Sequence, residues 1–145
     1  HAFVFVGDAS WVFGSPLDNE RPSLGGPLLL RGFTPGATLG DGRVLAVVEY
    51  RLSAARDLAW NLVSGAWARE VQLVAFSGAG LLFNHQDLGA PTVGVEVGAG
   101  VRLHVEYGGI VPGLIAVDIA FPVYGEERSG GGVPFNLRLG FNQFF

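Results

Sequence analysis

The chain has 145 residues, 49% of them hydrophobic and only 15% charged, with 23 glycines and a formal net charge of −4. All nine basic residues are arginine and none cluster, so nucleic-acid binding is not expected. Cysteine is absent, which excludes disulfides and thiol chemistry, and no apolar run is long enough for a transmembrane helix.

Period-two patterning organises the chain. The first strand is expected at about residues 2–14; its alternation is weak, because Val4, Val6 and Val12 share a face with Asp8 and Ser10. A long connection, about 15–42, follows and carries the segment Leu24–Phe33 (LGGPLLLRGF). Long loops of this kind are commonly functional or disordered. Arg31 sits there after three leucines and before Gly32 and Phe33, so its guanidinium either faces water or is held by buried acids. The second strand, about 43–55, sets Val44, Ala46, Val48, Tyr50 and Leu52 against Arg43, Glu49 and Arg51. A third, about 68–84, alternates less cleanly and contains Glu70. The fourth, about 92–107, is the clearest: Val93, Val95, Val97, Ala99, Val101, Leu103, Val105 and Tyr107 oppose Thr92, Gly94, Glu96, Gly98, Gly100, Arg102, His104 and Glu106. Soluble strands commonly run about 5–6 residues. The fifth, about 114–124, opposes Asp118 to Ile115, Val117, Ile119, Phe121 and Val123, and the sixth, about 134–145, opposes Asn136, Arg138 and Gly140 to Phe135, Leu137, Leu139 and Phe141.

Six long strands with one apolar face predict an all-β fold, specifically an antiparallel transmembrane β-barrel. Lipid offers no hydrogen bonds, so a spanning sheet must close on itself. The apolar face then meets acyl chains, and Glu49, Arg51, Glu96, Arg102, Asp118 and Arg138 face a wet lumen. Aromatics near strand ends fit interfacial girdles. The alternative is a soluble antiparallel domain with one buried face, although six such faces overfill a sandwich of this size.

Several segments resemble the Omp85 (bacterial surface antigen) family of outer-membrane barrels. Arg21–Phe33 is similar to the approach to the family's inward-folding sixth extracellular loop. Gly40–Leu52 (GDGRVLAVVEYRL) resembles the next strand, Val74–Phe83 (VAFSGAGLLF) an F-x-D-x-G strand, Val97–Leu103 a short G-x-G-[VL]-R run, and Val117–Pro122 a D-x-[AG]-[YF]-P strand. Leu137–Phe145 resembles the terminal strand with its aromatic assembly signal. The resemblance implies that residues 1–145 form the C-terminal portion, about six strands, of a barrel of roughly sixteen. The remaining strands would come from an N-terminal part of the same protein or from another chain, since an open six-stranded sheet leaves two edges in lipid. It also implies a loop anchored by Arg31, Gly32 and Phe33, with the guanidinium on an acid of a neighbouring strand. The family's aspartate falls on Gly78 here, so the acid is expected among Glu96 first, then Glu49, Glu70 or Asp118. A seam at the last strand would involve Gly140, Phe141 and Phe145.

The implied role is insertion or translocation of proteins at the bacterial outer membrane, with lipid, client proteins or envelope-complex subunits as partners. Two alternatives stay open: a barrel that anchors or exports a fused enzyme such as a patatin-like lipase, and a passive scaffolding subunit. Catalysis is not expected, because no nucleophile motif exists and Ser77 in FSGAG lies on the lipid-facing parity. His1, His85 and His104 lack metal-ligand spacing, so neither metal nor cofactor is expected.

Overall fold

In a computed structural model the protein is described over residues 1–14, 16–26, 29–85, 87–125 and 135–143. It is all-β, with seven strands in one antiparallel sheet. They are β1 (Ala2–Trp11), β2 (Gly42–Ala55), β3 (Trp60–Val63), β4 (Ala66–Asn84), β5 (Asp87–Tyr107), β6 (Val111–Tyr124) and β7 (Asn136–Gln143). The order is β1-β2-β4-β5-β6-β7, a meander, with β3 paired only to the start of β4. Outside the sheet the described residues hold a single 3₁₀ turn, Asp18–Glu20. No helix among them is long and apolar enough to cross a membrane, which says nothing of crossing by strands.

The strands follow the sequence alternation, with local differences. Seven form rather than six, because Trp60–Val63 folds back on Ala66–Ala68 as a short hairpin. Its turn uses Gly65 at φ +83°, a conformation that costs glycine little. Four residues are too few to show a period, and Trp-Asn-Leu-Val does not alternate. β5 starts at Asp87 rather than near 92, since Asn84 pairs with Asp87 across a tight turn. β1 ends at Trp11 rather than 14; the Val12 amide still donates to the Asp41 carbonyl at 2.8 Å, and Gly14 then turns the chain away at φ +90°.

The two faces of the sheet differ in kind. On one, Phe3, Phe5, Val44, Val48, Leu73, Val97, Val101, Val117, Phe121, Leu137, Leu139 and Phe141 stand exposed, Leu139 at 79%. On the other, Leu45, Val47, Glu49, Val74, Phe76, Leu82, Glu96, Arg102, Asp118 and Ala120 are buried. What covers this second face is the β1–β2 connection. Leu24, Leu30 and Phe33 from the loop pack with Leu45, Val47 and Leu82 from the wall into the main apolar cluster.

The loop fits because the wall beneath it carries glycine at the points of closest approach. Gly80 and Gly94 are register partners on β4 and β5. A methyl at Gly80 would come within 2.8 Å of Leu24, and one at Gly94 within 3.0 Å of both Leu24 and Phe33. At Gly78 it would approach Leu30 to 2.7 Å. Burying Leu24, Leu30 and Phe33 contributes about 1.5–3 kcal/mol each at most, more than buried ion pairs give net of desolvation. The trough therefore drives docking, and the polar contacts orient what is docked.

Candidate functional site: an inward-folded loop on a charged wall

Arg31 leaves the apolar cluster and enters a charge network on the covered face. Its Nη2 donates to Glu49 Oε2 at 2.7 Å, and its Nη1 lies 3.4 Å from Asp118 Oδ2. The guanidinium carbon stands 4.3 Å from the centroid of the Phe76 ring, a cation–π arrangement. Phe76 in turn lies over Gly98, where an added Cβ would run into the ring and the Ile119 carbonyl. Glycine at 98 thus sets the height of the platform on which Arg31 stacks.

Both acids carry further arginines. Glu49 accepts from Arg51 Nε at 2.6 Å, and Arg102 Nη2 lies 3.6 Å from it. Arg102 also forks onto Asp118, with Nη2 at 3.1 Å from Oδ2 and Nη1 on Oδ1. Such two-pronged arginine–carboxylate pairs are among the stronger polar contacts available. Glu49, Arg102 and Asp118 are all buried, so each charge depends on the others rather than on water.

Among the four acids expected near Arg31, the structure places Glu49 and Asp118 on its guanidinium and the other two elsewhere. Glu96, the first expectation, accepts the Gly32 backbone N–H instead. The reason is register: Glu96 is the β5 partner of Gly78 and is fully buried beneath the loop, so it meets the chain at Gly32 rather than at the end of the Arg31 side chain. Glu70 lies toward the other end of the sheet, accepting from Ser53 at 2.5 Å and Gln72 at 3.0 Å, with Arg56 at 3.6 Å.

Gly32 and Phe33 complete the anchor. A Cβ at Gly32 would sit 3.1 Å from both Glu96 Oε2 and the Pro122 nitrogen, so a glycine lets the backbone reach the wall. Phe33 is 1% exposed in the apolar cluster. Gly140 sits on the covered face of β7, where an added Cβ would lie 3.5 Å from Ala116. Phe141 points from the open face and meets the Tyr107 ring edge-on. Phe145 lies outside the described residues.

Contacts that sequence reading did not single out as site residues hold the loop at both ends. Arg43 donates to Asp8 at 2.9 Å and to the Ser23 carbonyl at 2.8 Å. Asn136 Nδ2 donates to the Gly32 carbonyl at 2.8 Å, and Arg138 Nη1 to the Gly26 carbonyl at 2.6 Å. Parity placed these side chains on the polar face, but partners that are loop carbonyls leave no mark in the sequence. At the root, Arg21 pairs with Asp41 at 3.1 Å and the His85 amide donates to Asp41 at 2.7 Å. The His85 hydrogen bond, with help from the Arg21 charge, holds the Asp41 carboxyl below its usual range.

Chemically this is an anchoring site. Its carboxylates are each held by arginines or loop amides, and among the described residues no group of three His, Cys, Asp or Glu side chains could hold a metal ion. In comparison with known proteins, the chain matches no family model, no curated protein and no solved structure.

Proposed function

We propose that this chain is the C-terminal portion of an Omp85-type outer-membrane β-barrel. It takes part in inserting or translocating proteins, with residues 15–42 folded into the lumen and oriented through Arg31. The observation that carries the barrel reading is the inverted polarity of the sheet. Charged side chains are buried on one face while large apolar ones stand exposed in rows on the other. In water that arrangement leaves an apolar patch far beyond what a monomer tolerates; in lipid it is the required one.

Two measurements of scale support it. Aromatic pairs flank the apolar rows: Trp11–Phe83 and Phe121–Phe135 toward one end, Phe3–Tyr50 and Tyr107–Phe141 toward the other. From Phe3 to Trp11, or from the Tyr107 partner Val111 to Phe121, a strand tilted about 40° advances roughly 20–25 Å, close to the apolar band of outer-membrane barrels. The exposed area, 8577 Å² for 15.3 kDa, also exceeds the roughly 7,100 Å² of a compact water-soluble monomer.

The transport role rests on the loop motif and is tested by Arg31→Ala in the full-length protein. Folding of a client barrel in proteoliposomes should slow several-fold while this barrel stays membrane-inserted. Unchanged client folding would reject the role and favour the second reading, a scaffolding or anchoring barrel. The many ties between loop and wall already lean that way, since a loop held so fully can serve as a fixed plug.

A further inference from the structure

We propose that the loop and the terminal strand form one mechanical unit, clasped by Asn136 and Arg138. These are successive side chains on the covered face of β7, and they grip the loop at two carbonyls, Gly32 and Gly26. The two bonds join positions 104 and 112 residues apart in the chain, so they belong to the tertiary fold alone. Between the gripped points lies the segment that carries Leu30 and Arg31.

Three features make this a clasp rather than two incidental bonds. First, β7 needs it. Among the described residues this eight-residue strand pairs with β6 alone, whereas β4 and β5 run 19 and 21 residues with partners on both sides. Its opposite face is little buried, since Leu137, Leu139 and Phe141 are all exposed and only the Phe141–Tyr107 ring contact is seen there among the described residues. Second, the Gly32 residue is held from two sides: its N–H by Glu96 on β5 and its carbonyl by Asn136 on β7. The adjacent Arg31 reaches Glu49 on β2 and Asp118 on β6. One short turn therefore bridges four strands and ends on the last. Third, the clasp is sensitive to register. Arg138 pairs with Asp118 and Asn136 with Ala120 on β6. A slip of one residue would turn both side chains to the opposite face and release both carbonyls.

It follows that β7 cannot leave β6, or re-pair in another register, while the loop stays docked, and that freeing the loop loosens β7. This coupling stands on the geometry; its use, in an opening at the β7 edge, rests on the barrel reading above.

Hydrogen exchange on the full-length protein in phosphatidylethanolamine–phosphatidylglycerol vesicles tests it in both directions. The double change Asn136→Ala/Arg138→Ala should speed exchange at residues 29–34 as well as in β7, by roughly 30- to 1,000-fold, the scale of two lost hydrogen bonds, one with a charged donor. Arg31→Ala should speed exchange in β7, which it does not touch. β1 should be unchanged in both. Arg138→Lys, which keeps a donor, should restore much of the protection at Gly26 and in β7 even if the double variant folds poorly. Faster exchange confined to the mutated element, or a lysine variant no better protected than Arg138→Ala, would overturn the coupling. Quenching of tryptophan by brominated lipid in the same samples reports membrane insertion separately, so a failure of the barrel reading is distinguishable from a failure of the clasp.

Discussion

Removing an acid from the buried network should harm the protein more than removing the loop arginine. Four guanidinium groups, Arg31, Arg51, Arg102 and Arg138, face three carboxylates, Glu49, Glu96 and Asp118, on the covered wall. The network is thus one positive charge in excess. Arg31→Gln brings it to balance, and both of its partners keep a cation: Glu49 retains Arg51 at 2.6 Å, and Asp118 retains the Arg102 fork. What is lost is one charge-assisted hydrogen bond and the stacking on Phe76, partly offset by reduced crowding of like charges, about 2 kcal/mol in all. Glu49→Gln instead leaves Arg31 and Arg102 facing each other with Asp118 as their nearby acid and strips Arg51 of its partner. Breaking a buried pair in that sense costs about 3–5 kcal/mol. The exposed share of Arg51 softens this toward the lower end. The expected gap is about 1–2 kcal/mol, or roughly 5- to 30-fold in the unfolding equilibrium. The assay is urea unfolding of the full-length protein in micelles, read by protease cutting within residues 16–41 and by tryptophan emission. Equal midpoints, or a lower one for Arg31→Gln, would refute the charge accounting.

Two further outcomes are expected. Val101→Arg, in the middle of the open face, should destabilise the vesicle-inserted protein by about 2–4 kcal/mol, whereas on a sheet facing water it would be close to neutral; an unchanged unfolding midpoint in vesicles would place this face outside lipid. Because Asp41 is held below its ordinary value of 3.8 when folded, its stabilising effect is present above that pH and fades as the pH falls through the lower folded value. Wild type should therefore exceed Asp41→Asn in unfolding midpoint at pH 6, with the gap closing below about pH 4, and a gap constant from pH 6 to 3 would show that Asp41 does not act through its charge.

What could be read from the chain followed from period, and what could not followed from register. Alternation from Thr92 to Tyr107 displays a strand of β5 type directly, and the parity of Glu49, Glu96, Arg102 and Asp118 places all four on the face the loop covers. Choosing among acids on that face is a different problem. It depends on how β2, β4, β5 and β6 stagger, and the stagger sets Glu96 opposite Gly78, beneath the loop backbone. No pattern within a single strand encodes that offset. β3 escaped notice because it is too short to show a period. Asn136 and Arg138 were legible as belonging to the polar face and illegible as loop partners, since a backbone carbonyl is available at any residue.

The vacant trough has an evolutionary corollary. Where Gly78, Gly80, Gly94 and Gly98 leave space, Leu30, Leu24, Phe33 and Phe76 fill it from elsewhere in the chain. Those positions are free to drift only in concert: bulk gained at Gly78, Gly80 or Gly94 must be surrendered by the segment above, and bulk gained at Gly98 by its wall neighbour Phe76. Homologues that abandon one partner should reveal a compensating exchange at the other, so that covariation, more than invariance, would be the signature of this wall.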